Sequence, residues 1–414
     1  MRILLKNANM VDVDKKTVIK SVDLIILDNK FGEIGPNLPV EEADEIYDLS
    51  NKWVMPGLIN MHEHQSYKRL VGPLYGPNGS CAGLDGTDLG IRGVRTALFS
   101  LKCGITTLCE MGALYGLSRA MRNAIEKKVI PGPRMFISGQ HITMKGGHSH
   151  ELAYEVNSIT EMELAAAKML DQGSSWVKLL TSDEPVTDGN DLGGIIRAEM
   201  PEELVAAAVK TAHDKGAKVA VHAMGPVQMQ RVINAGADAI HHGAFLTREQ
   251  AKEMHDKGLA LVSTISAYRN TSSPYFERGE QWAKDNLPLR PGFKSALQHA
   301  MEANVLIAPG TDSLGDLVDE LIYMNLFGMD TMDCLRSATL NGAKILGQES
   351  VLGSISVGKL ADLVVLDDDP AADLENLRKV RWVMKNGEIY HLANLSLEHT
   401  DPRWLLENTP MDLD

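Results

Sequence analysis

The feature that most restricts how this chain can fold is a series of short apolar segments that alternate with amphipathic helical stretches. There are eight such segments: Trp53–Met61, Ile105–Glu110, Arg134–Ser138, Trp176–Leu180, Lys218–His222, Ala239–His242, Leu259–Thr264 and Val305–Ala308. Eight strands that alternate with helices are what a closed (β/α)8 barrel requires. An open doubly wound sheet would show a similar alternation, but no GxGxxG follows the first strand, which disfavours its dinucleotide-binding version.

Both ends of the chain are rich in predicted strands. They are Arg2–Ala8, Asp23–Asp28, Ala361–Asp367 and Arg381–Lys385. Because chain ends commonly lie close together, we expect these strands to form one small β-sandwich domain. The predicted fold class is therefore α/β, a (β/α)8 TIM barrel with a small β-sandwich domain built from both chain ends. The predicted divisions are residues 1–54 and 346–395 for the β-sandwich, 55–345 for the barrel and 396–414 for a C-terminal tail.

The composition is that of a soluble globular enzyme, with 44% hydrophobic and 23% charged residues. Forty-one Lys and Arg against 55 Asp and Glu give a net charge of −14, which argues against nucleic acid or an anionic membrane as a partner. The opening residues lack a signal-peptide pattern, and no apolar stretch approaches the roughly 20 residues of a membrane span. We expect a cytoplasmic protein that acts on a small molecule.

Polar side chains end several of the predicted barrel strands, where catalytic residues of such barrels lie. They are His62, His64, Lys178, His222, His242 and Asp312. His62 and His64 are two residues apart on a strand, so both imidazoles can bind one ion. A buried lysine such as Lys178 is costly unless it is neutralised or paired. Each residue alone could be an ordinary polar residue, and Asp312 a helix cap, but their coincidence favours a metal site for zinc, manganese, iron or nickel.

The same residues resemble the motifs of the amidohydrolase superfamily. The resembling segments are Pro56–His64 (PGLINMHEH), Lys178, His222 in HAMG, His242–Gly243, Asp312 in PGTDS and the return segment Gly353–Val364. The resemblance covers roughly residues 1–390 and is specific, because the motifs occur in order and at suitable spacing.

The resemblance implies a binuclear metal centre. In it, His62, His64 and Asp312 hold the more buried ion, and His222 and His242 hold the more exposed one. Lys178 is carbamylated by CO2 and bridges both ions. A bridging hydroxide attacks the scissile carbonyl, which the exposed ion polarises. Asp312 takes the proton of this nucleophile and passes it to the leaving group.

One position departs from the family pattern. Relatives with this layout often carry Glu before the strand-6 histidine, whereas here His241 precedes His242. We expect His242 to be the ligand because Gly243 follows it, as in the family. A regular pleat would place His241 on the opposite side of the strand, although a slip in register would let it substitute.

The loop after strand 3 contains Gly146, Gly147 and His148, and this element resembles the dipeptidase and carboxypeptidase-like branch of the superfamily. Members of that branch cleave Xaa-Pro, Xaa-Arg or Xaa-Lys bonds and related N-acyl amino acids. His148 would then contact the substrate or the oxyanion, the alternative being a glycine-rich lid with solvated histidines.

Two residues after strand 7 are further candidates for contact with the substrate. Tyr268 would donate to the developing oxyanion, and Arg269 would bind a substrate carboxylate. The alternative, which the sequence favours for each residue taken alone, is that both are ordinary loop residues. The polar loop Tyr75–Asp88 follows strand 1, and it would shape specificity or act as a lid.

We therefore expect a metal-dependent amidohydrolase, peptidase-like, that cleaves an amide bond in a dipeptide or N-acyl amino acid. Hydrolysis of a cyclic amide (an imidazolone or lactam) is the first alternative. A ring deaminase is the second, but such enzymes typically use one metal and a Glu three residues after the strand-5 histidine, where this chain has Gly225. A metal-free scaffold protein is the third. Barrels of this kind often form homo-oligomers, and no sequence feature indicates a number of subunits.

Overall fold

The structure is a computed structural model, and it describes residues 1–67, 85–182, 199–268, 289–313 and 315–395. Within these residues the chain forms two parts. One is a mixed β-sheet that uses both chain ends, and the other is a barrel of parallel strands wrapped by helices.

Strands and helices follow one another along most of the described chain. The strands of the described residues are β1 (Arg2–Asp12), β2 (Thr17–Leu27), β3 (Lys30–Gly35), β4 (Glu45–Asp48), β5 (Trp53–Pro56), β6 (Leu58–Glu63), β7 (Ile105–Glu110), β8 (Arg134–Ile137), β9 (Ile142–Met144), β10 (Tyr154–Val156), β11 (Trp176–Leu180), β12 (Lys218–Ala223), β13 (Ala239–His242), β14 (Ala260–Ser263), β15 (Ile307–Pro309), β16 (Leu363–Leu366), β17 (Val380–Lys385) and β18 (Glu388–His391). The α-helices in the same residues are α1 (Gly86–Lys102), α2 (Leu117–Glu126), α3 (Ile159–Asp171), α4 (Glu202–Asp214), α5 (Pro226–Ala235), α6 (Arg248–Lys257), α7 (Arg290–Glu302), α8 (Leu317–Leu326), α9 (Thr331–Arg336) and α10 (Gly342–Leu346). None of these helices combines the length and the apolarity that a membrane crossing needs.

Both ends of the chain meet in one mixed sheet with the strand order β18-β17-β16-β5-β1-β2-β3, in which β4 also pairs with β1. The two ends are joined through β5, which runs parallel to β1 and antiparallel to β16. Side chains of this sheet form a separate apolar core that includes Leu5, Leu24, Val54, Val365 and Met384. The prediction of a small β domain built from both chain ends is confirmed.

The barrel consists, within the described residues, of the parallel strands β6, β7, β8, β11, β12, β13, β14 and β15. The Ser175 amide donates to the Ile137 carbonyl between β8 and β11, and the amides of Thr311 and Asp312 donate to the His62 carbonyl, which closes β15 onto β6. The interior is filled by side chains that include Ile59, Met61, Ala220, Ala239, Val262 and Ala308. The predicted (β/α)8 TIM barrel is confirmed.

The predicted strand over residues 53–61 is in fact two strands separated by Gly57. Trp53–Pro56 (β5) belongs to the mixed sheet, whereas Leu58–Glu63 (β6) is the first barrel strand. A β-carbon on Gly57 would lie 2.2 Å from Oγ1 of Thr106, so glycine is needed where the chain passes this close to β7. The division predicted between residues 54 and 55 therefore falls inside β5. The other divisions stay predictions, and residues 396–414 lie outside the described part of the chain.

Candidate functional site

The carboxyl ends of the parallel barrel strands bring together the six side chains that the sequence predicts as metal ligands. They are His62 on β6, His64 directly after it, Lys178 on β11, His222 on β12, His242 at the end of β13 and Asp312 beyond β15. His62, Lys178, His222 and His242 are buried, whereas His64 and Asp312 are partly exposed. The cluster therefore lies at the face of the barrel where active sites form.

Three of these side chains form a group of suitable size for one metal ion. Nε2 of His62 lies 3.2 Å from Nε2 of His64, and Nε2 of His64 lies 3.7 Å from Oδ1 of Asp312. One ligand atom from each residue lies within 4.8 Å of the other two. Nδ1 of His64 is 3.0 Å from the Gly112 carbonyl, to which it can donate, so Nε2 is left free to bind an ion.

His222 and His242 form a second pair beside the first. Their ring centroids are 4.4 Å apart, and the ring of His242 is 4.9 Å from that of His62. Nδ1 of His242 lies 2.7 Å from Oγ1 of Thr264, while Nε2 of His222 has no hydrogen-bond partner among the described residues. The second pair thus also offers imidazole nitrogens to the same space.

Lys178 lies inside the barrel with its side chain fully buried. Its Nζ has no hydrogen-bond partner in the part of the chain that the structure describes. Burial lowers the pKa of Lys178 to about 7, and the negative charge of Asp312 only partly opposes this shift. A buried amine without a partner is costly, which indicates that another chemical group completes the site.

Burial also lowers the pKa values of His62, His222 and His242 well below the usual range. For His62 and His242 the next largest cause is the charge of Lys178, and for His222 it is His242. These imidazoles are therefore neutral near pH 7, which is the form that binds metal ions. Neutral imidazoles with a carboxylate and an unpartnered lysine fit divalent transition metals such as zinc.

Two buried carboxyl groups lie beneath the ligands. Glu63 accepts hydrogen bonds from the His64 amide at 3.0 Å and from Oγ1 of Thr311 at 2.7 Å, so it ties β6 to the residue before Asp312. Glu110 accepts from the Gln65 amide at 2.7 Å. Burial, and then the charge of Glu63, raise the pKa of Glu110 well above its usual range. Neither Glu63 nor Glu110 is predicted as a site residue from the sequence, although Glu63 lies between two predicted ligands.

Two of the three predicted substrate contacts border the second pair of histidines. The ring of His148 stacks on that of His222, with centroids 4.6 Å apart and an interplanar angle of 20°. The buried ring of Tyr268 meets His242 edge to face at 5.9 Å. Arg269 lies outside the described residues, as does most of the 75–88 loop.

His141 lies in the site but was not predicted. It is buried, its ring is 6.0 Å from that of His64, and neither ring nitrogen has a hydrogen-bond partner among the described residues. Gly112 leaves room for it, because a β-carbon there would lie 2.1 Å from Nδ1 of His141. Its position between β8 and β9, in the loop after strand 3 that also contains His148, is the signal that could have identified it.

The expected orientation of His241 is wrong. His241 is fully buried in the site, with Nδ1 2.9 Å from Nδ1 of His62. His242 has a left-handed backbone with φ of 71°, so the regular alternation of side chains ends there. As a result, two consecutive imidazoles face the same centre.

The fold and the site together describe a TIM-barrel protein with a histidine-rich centre at its catalytic face. Residues 53–390 match the protein family described as the amidohydrolase family. The chain belongs to this family, and it is therefore a hydrolase that acts on a small molecule.

Individual relatives support this assignment. An imidazolonepropionase of Shewanella frigidimarina is 25% identical over 418 residues, which cover 91% of this chain and 94% of the relative. An uncharacterised protein of Mycobacterium bovis is 26% identical over 345 residues, or 80% of this chain and 83% of that protein. The crystal structure of a Xaa-Pro dipeptidase with bound methionine has a TM-score of 0.84 and 27% identity, and the match covers 94% of this chain and 100% of that one. The resemblance to superfamily members that include dipeptidases is confirmed.

Proposed function

We propose that this amidohydrolase cleaves an amide bond in a dipeptide or an N-acyl amino acid, using two divalent metal ions. Zinc is the first choice, with manganese, iron or nickel as alternatives. His62, His64 and Asp312 would hold one ion, His222 and His242 the other, and Lys178 both. The observation that carries the proposal is the convergence of these side chains on a buried lysine whose Nζ has no hydrogen-bond partner among the described residues.

Divalent ions bound there would lower the pKa of water and polarise the scissile carbonyl. Asp312 would move the proton, accepting it from the attacking water and giving it to the leaving nitrogen. Oδ1 of Asp312 accepts a hydrogen bond from the Ser313 amide at 2.6 Å, which holds the carboxylate beside His64. This contact supports Asp312 as the residue that moves the proton.

Lys178 would act as a carbamate. Its neutral amine attacks CO2, a nitrogen–carbon bond forms, and one N–H proton leaves to solvent. Because burial lowers the pKa of Lys178 to about 7, much of the amine is neutral near pH 7 and able to react. The product replaces a buried amine with a carboxylate, and two cations favour that negative charge.

The substrate would lie against His148, Tyr268 and Arg269. His148 and Tyr268 border the rings of His222 and His242, so either could donate to the oxygen that gains negative charge during attack. Arg269 would bind the carboxylate of an amino-acid product as a bidentate pair. His141 joins this group of candidates, because its unpartnered nitrogens lie beside His64.

The likeness to the Shewanella imidazolonepropionase favours one alternative, the hydrolytic opening of a cyclic amide. The same ligands and the same proton transfer by Asp312 would serve that reaction. The choice depends on the residues that contact the substrate, and part of that region lies outside the described residues. A ring deaminase is less well supported, because Gly225 occupies the position of its expected glutamate.

Metal content tests the proposal first. The protein is purified with bicarbonate and without chelators, and its metals are measured by elemental mass spectrometry. We expect two transition-metal ions per chain. One ion would instead favour a single-metal ring hydrolase or deaminase with Lys178 as a core residue. No ion, even after reconstitution with zinc or manganese, would contradict the proposal and favour a scaffold protein.

Substrate class is tested next, on the metal-loaded enzyme. Xaa-Pro, Xaa-Arg and Xaa-Lys dipeptides and N-acetyl amino acids form one panel, and imidazolone and lactam rings form the other. Turnover in the first panel alone supports the proposal. Turnover confined to the rings would select the cyclic-amide alternative.

A further inference from the structure

His241 occupies a position that the proposed mechanism does not use. On β13, Ala239 faces the barrel interior, and Ile240 packs in the outer core beneath the helices. His241 follows Ala239 into the interior, as the strand pleat requires. It is fully buried at the level of the ligands, so its imidazole needs a partner or a role.

The contact that His241 makes is with a proposed metal ligand. Its Nδ1 lies 2.9 Å from Nδ1 of His62, and the two rings are 4.7 Å apart between centroids. The other nitrogen of His62, Nε2, faces Nε2 of His64 at 3.2 Å. His62 therefore presents one nitrogen to the metal centre and the other to His241.

The proton between these two nitrogens determines whether His62 can bind a metal. A neutral imidazole carries one proton, on either Nδ1 or Nε2. If His241 donated to Nδ1 of His62, the proton of His62 would lie on Nε2, and the nitrogen that faces His64 would have no free lone pair. If Nδ1–H of His62 donates to Nδ1 of His241, Nε2 of His62 is free to bind an ion.

We propose that His241 is a positioning residue that accepts a hydrogen bond from Nδ1–H of His62 and so holds Nε2 of His62 in its metal-binding form. Metal-binding histidines usually donate their second N–H to a carboxylate or a carbonyl, and here a second imidazole is the acceptor. The inference rests on the proposed metal centre. It adds a specific role for a residue that the ligand set leaves out.

Two substitutions at position 241 distinguish the effect of the hydrogen-bond acceptor from the effect of side-chain size. In His241→Asn the side-chain oxygen is as many bonds from the backbone as Nδ1 of histidine, so the acceptor is kept. His241→Leu has a similar branched shape but no acceptor. His299→Leu is the control, because Nδ1 of His299 contacts the Leu246 carbonyl rather than a proposed ligand.

The measurement is zinc affinity, by competition with a chromophoric chelator on the metal-free full-length protein. Thermal unfolding of each metal-free variant checks that it folds. We expect His241→Leu to weaken zinc binding by about ten- to a hundredfold, as losses of such partners do. His241→Asn should keep most of the affinity, and His299→Leu should match the wild type.

Three results would overturn the inference. The first is wild-type affinity in His241→Leu. The second is equal weakening in His241→Asn and His241→Leu, because the acceptor would then be irrelevant. The third is the complete loss of one ion from both variants at saturating zinc, which would make His241 a ligand. A wild-type protein that binds no zinc would contradict the proposed function itself, so the two failures can be told apart.

Discussion

The lowered pKa of Lys178 follows from the strand that carries this residue. Its neighbours Val177 and Leu179 pack in the outer core, so the lysine side chain projects into the barrel interior together with Trp176. Burial there lowers its pKa to about 7 and leaves Nζ without a hydrogen-bond partner among the described residues. This setting supports the proposed reaction of Lys178 with CO2.

Lys178→Ala should therefore reduce turnover by more than about a hundredfold, because the proposed centre would lose the ligand that both ions share. Metal content and kcat of the purified variant are the measurements. Lys385→Ala is the control, since Lys385 is also buried with a pKa lowered to about 8, but its Nζ donates to the Gly132 carbonyl far from the barrel mouth. Full activity in Lys178→Ala would contradict the mechanism.

At this scale the sequence predicts which residues meet but not how they are oriented. His62 and Lys178 could be found because an apolar strand that ends in a polar residue is a simple pattern. The shared orientation of His241 and His242 could not be found, since the left-handed backbone of His242 turns its side chain to the same side as that of His241, and sequence periodicity does not reveal a single change of φ. His141 was missed for a related reason, because a lone histidine in a loop is usually an ordinary polar residue.

Among the elements, α8 fixes the loop that follows β14. Glu320 on this helix is fully buried. Its carboxylate accepts hydrogen bonds from Oγ of Ser263 at 2.5 Å, the Ile265 amide at 3.0 Å and the Ser266 amide at 2.6 Å. The helix thereby sets the turn that ends at Tyr268, a proposed substrate contact. Burial raises the pKa of Glu320, and these hydrogen bonds only partly offset the shift.

The pH dependence of stability should reflect this raised pKa. The folded chain keeps the Glu320 proton to higher pH than the unfolded chain. The contribution of Glu320 to the free energy of unfolding is therefore fully present below the ordinary pKa of 4.5, and it falls as the pH rises through the pKa of the folded state. The free energy of unfolding of the wild type, minus that of Glu320→Gln, should decrease over that range. Urea unfolding at a series of pH values measures it.

A companion variant checks that Glu320 is the cause. The Ser263 hydroxyl lowers the pKa of Glu320, so Ser263→Ala should move the decrease to higher pH. A difference in stability that instead grew with pH would contradict the assignment of the shift to burial.

The strands show the same limit of sequence analysis at the scale of elements. The alternation of apolar segments with helices identified all the barrel strands, because a strand covered on both faces is apolar throughout. It did not reveal that residues 53–61 divide between two sheets. Both halves are apolar, and the break depends on how closely Gly57 approaches Thr106, a contact between distant residues.

The two parts of the molecule are joined by a polar contact at the base of β8. Nη1 of Arg134 lies 2.5 Å from Oδ2 of Asp362, a residue before β16 with a buried carboxylate. Asp362 also accepts a hydrogen bond from the Asn386 amide at 2.8 Å, and its carbonyl accepts one from the Gly57 amide at 3.0 Å. This group therefore connects the barrel and the glycine break to the start of β16 and to the turn between β17 and β18.

Arg134→Met should destabilise the protein by about 2 kcal/mol, because it leaves the Asp362 carboxylate buried with fewer partners. Urea unfolding provides the measurement. Arg381→Met removes an exposed ion pair with Asp367 and should cost less than about 1 kcal/mol. If the two variants had equal free energies of unfolding, the contact between Arg134 and Asp362 would contribute no more to stability than an exposed ion pair.

Metal binding should be coupled to the stability of the whole barrel, because the proposed ligands come from five strands around its circumference. The unfolded chain does not hold these residues together, so ions bind mainly to the folded form. Free zinc at a thousand times its Kd would add about 4 kcal/mol. For a chain of this length, that corresponds to a rise in Tm of about 5 °C.

Scanning calorimetry with zinc and with a chelator measures the change in Tm, and His62→Ala serves as the control because it should reduce the rise. A Tm that zinc leaves unchanged, despite stoichiometric binding, would mean that the ligands do not need the closed barrel in order to meet.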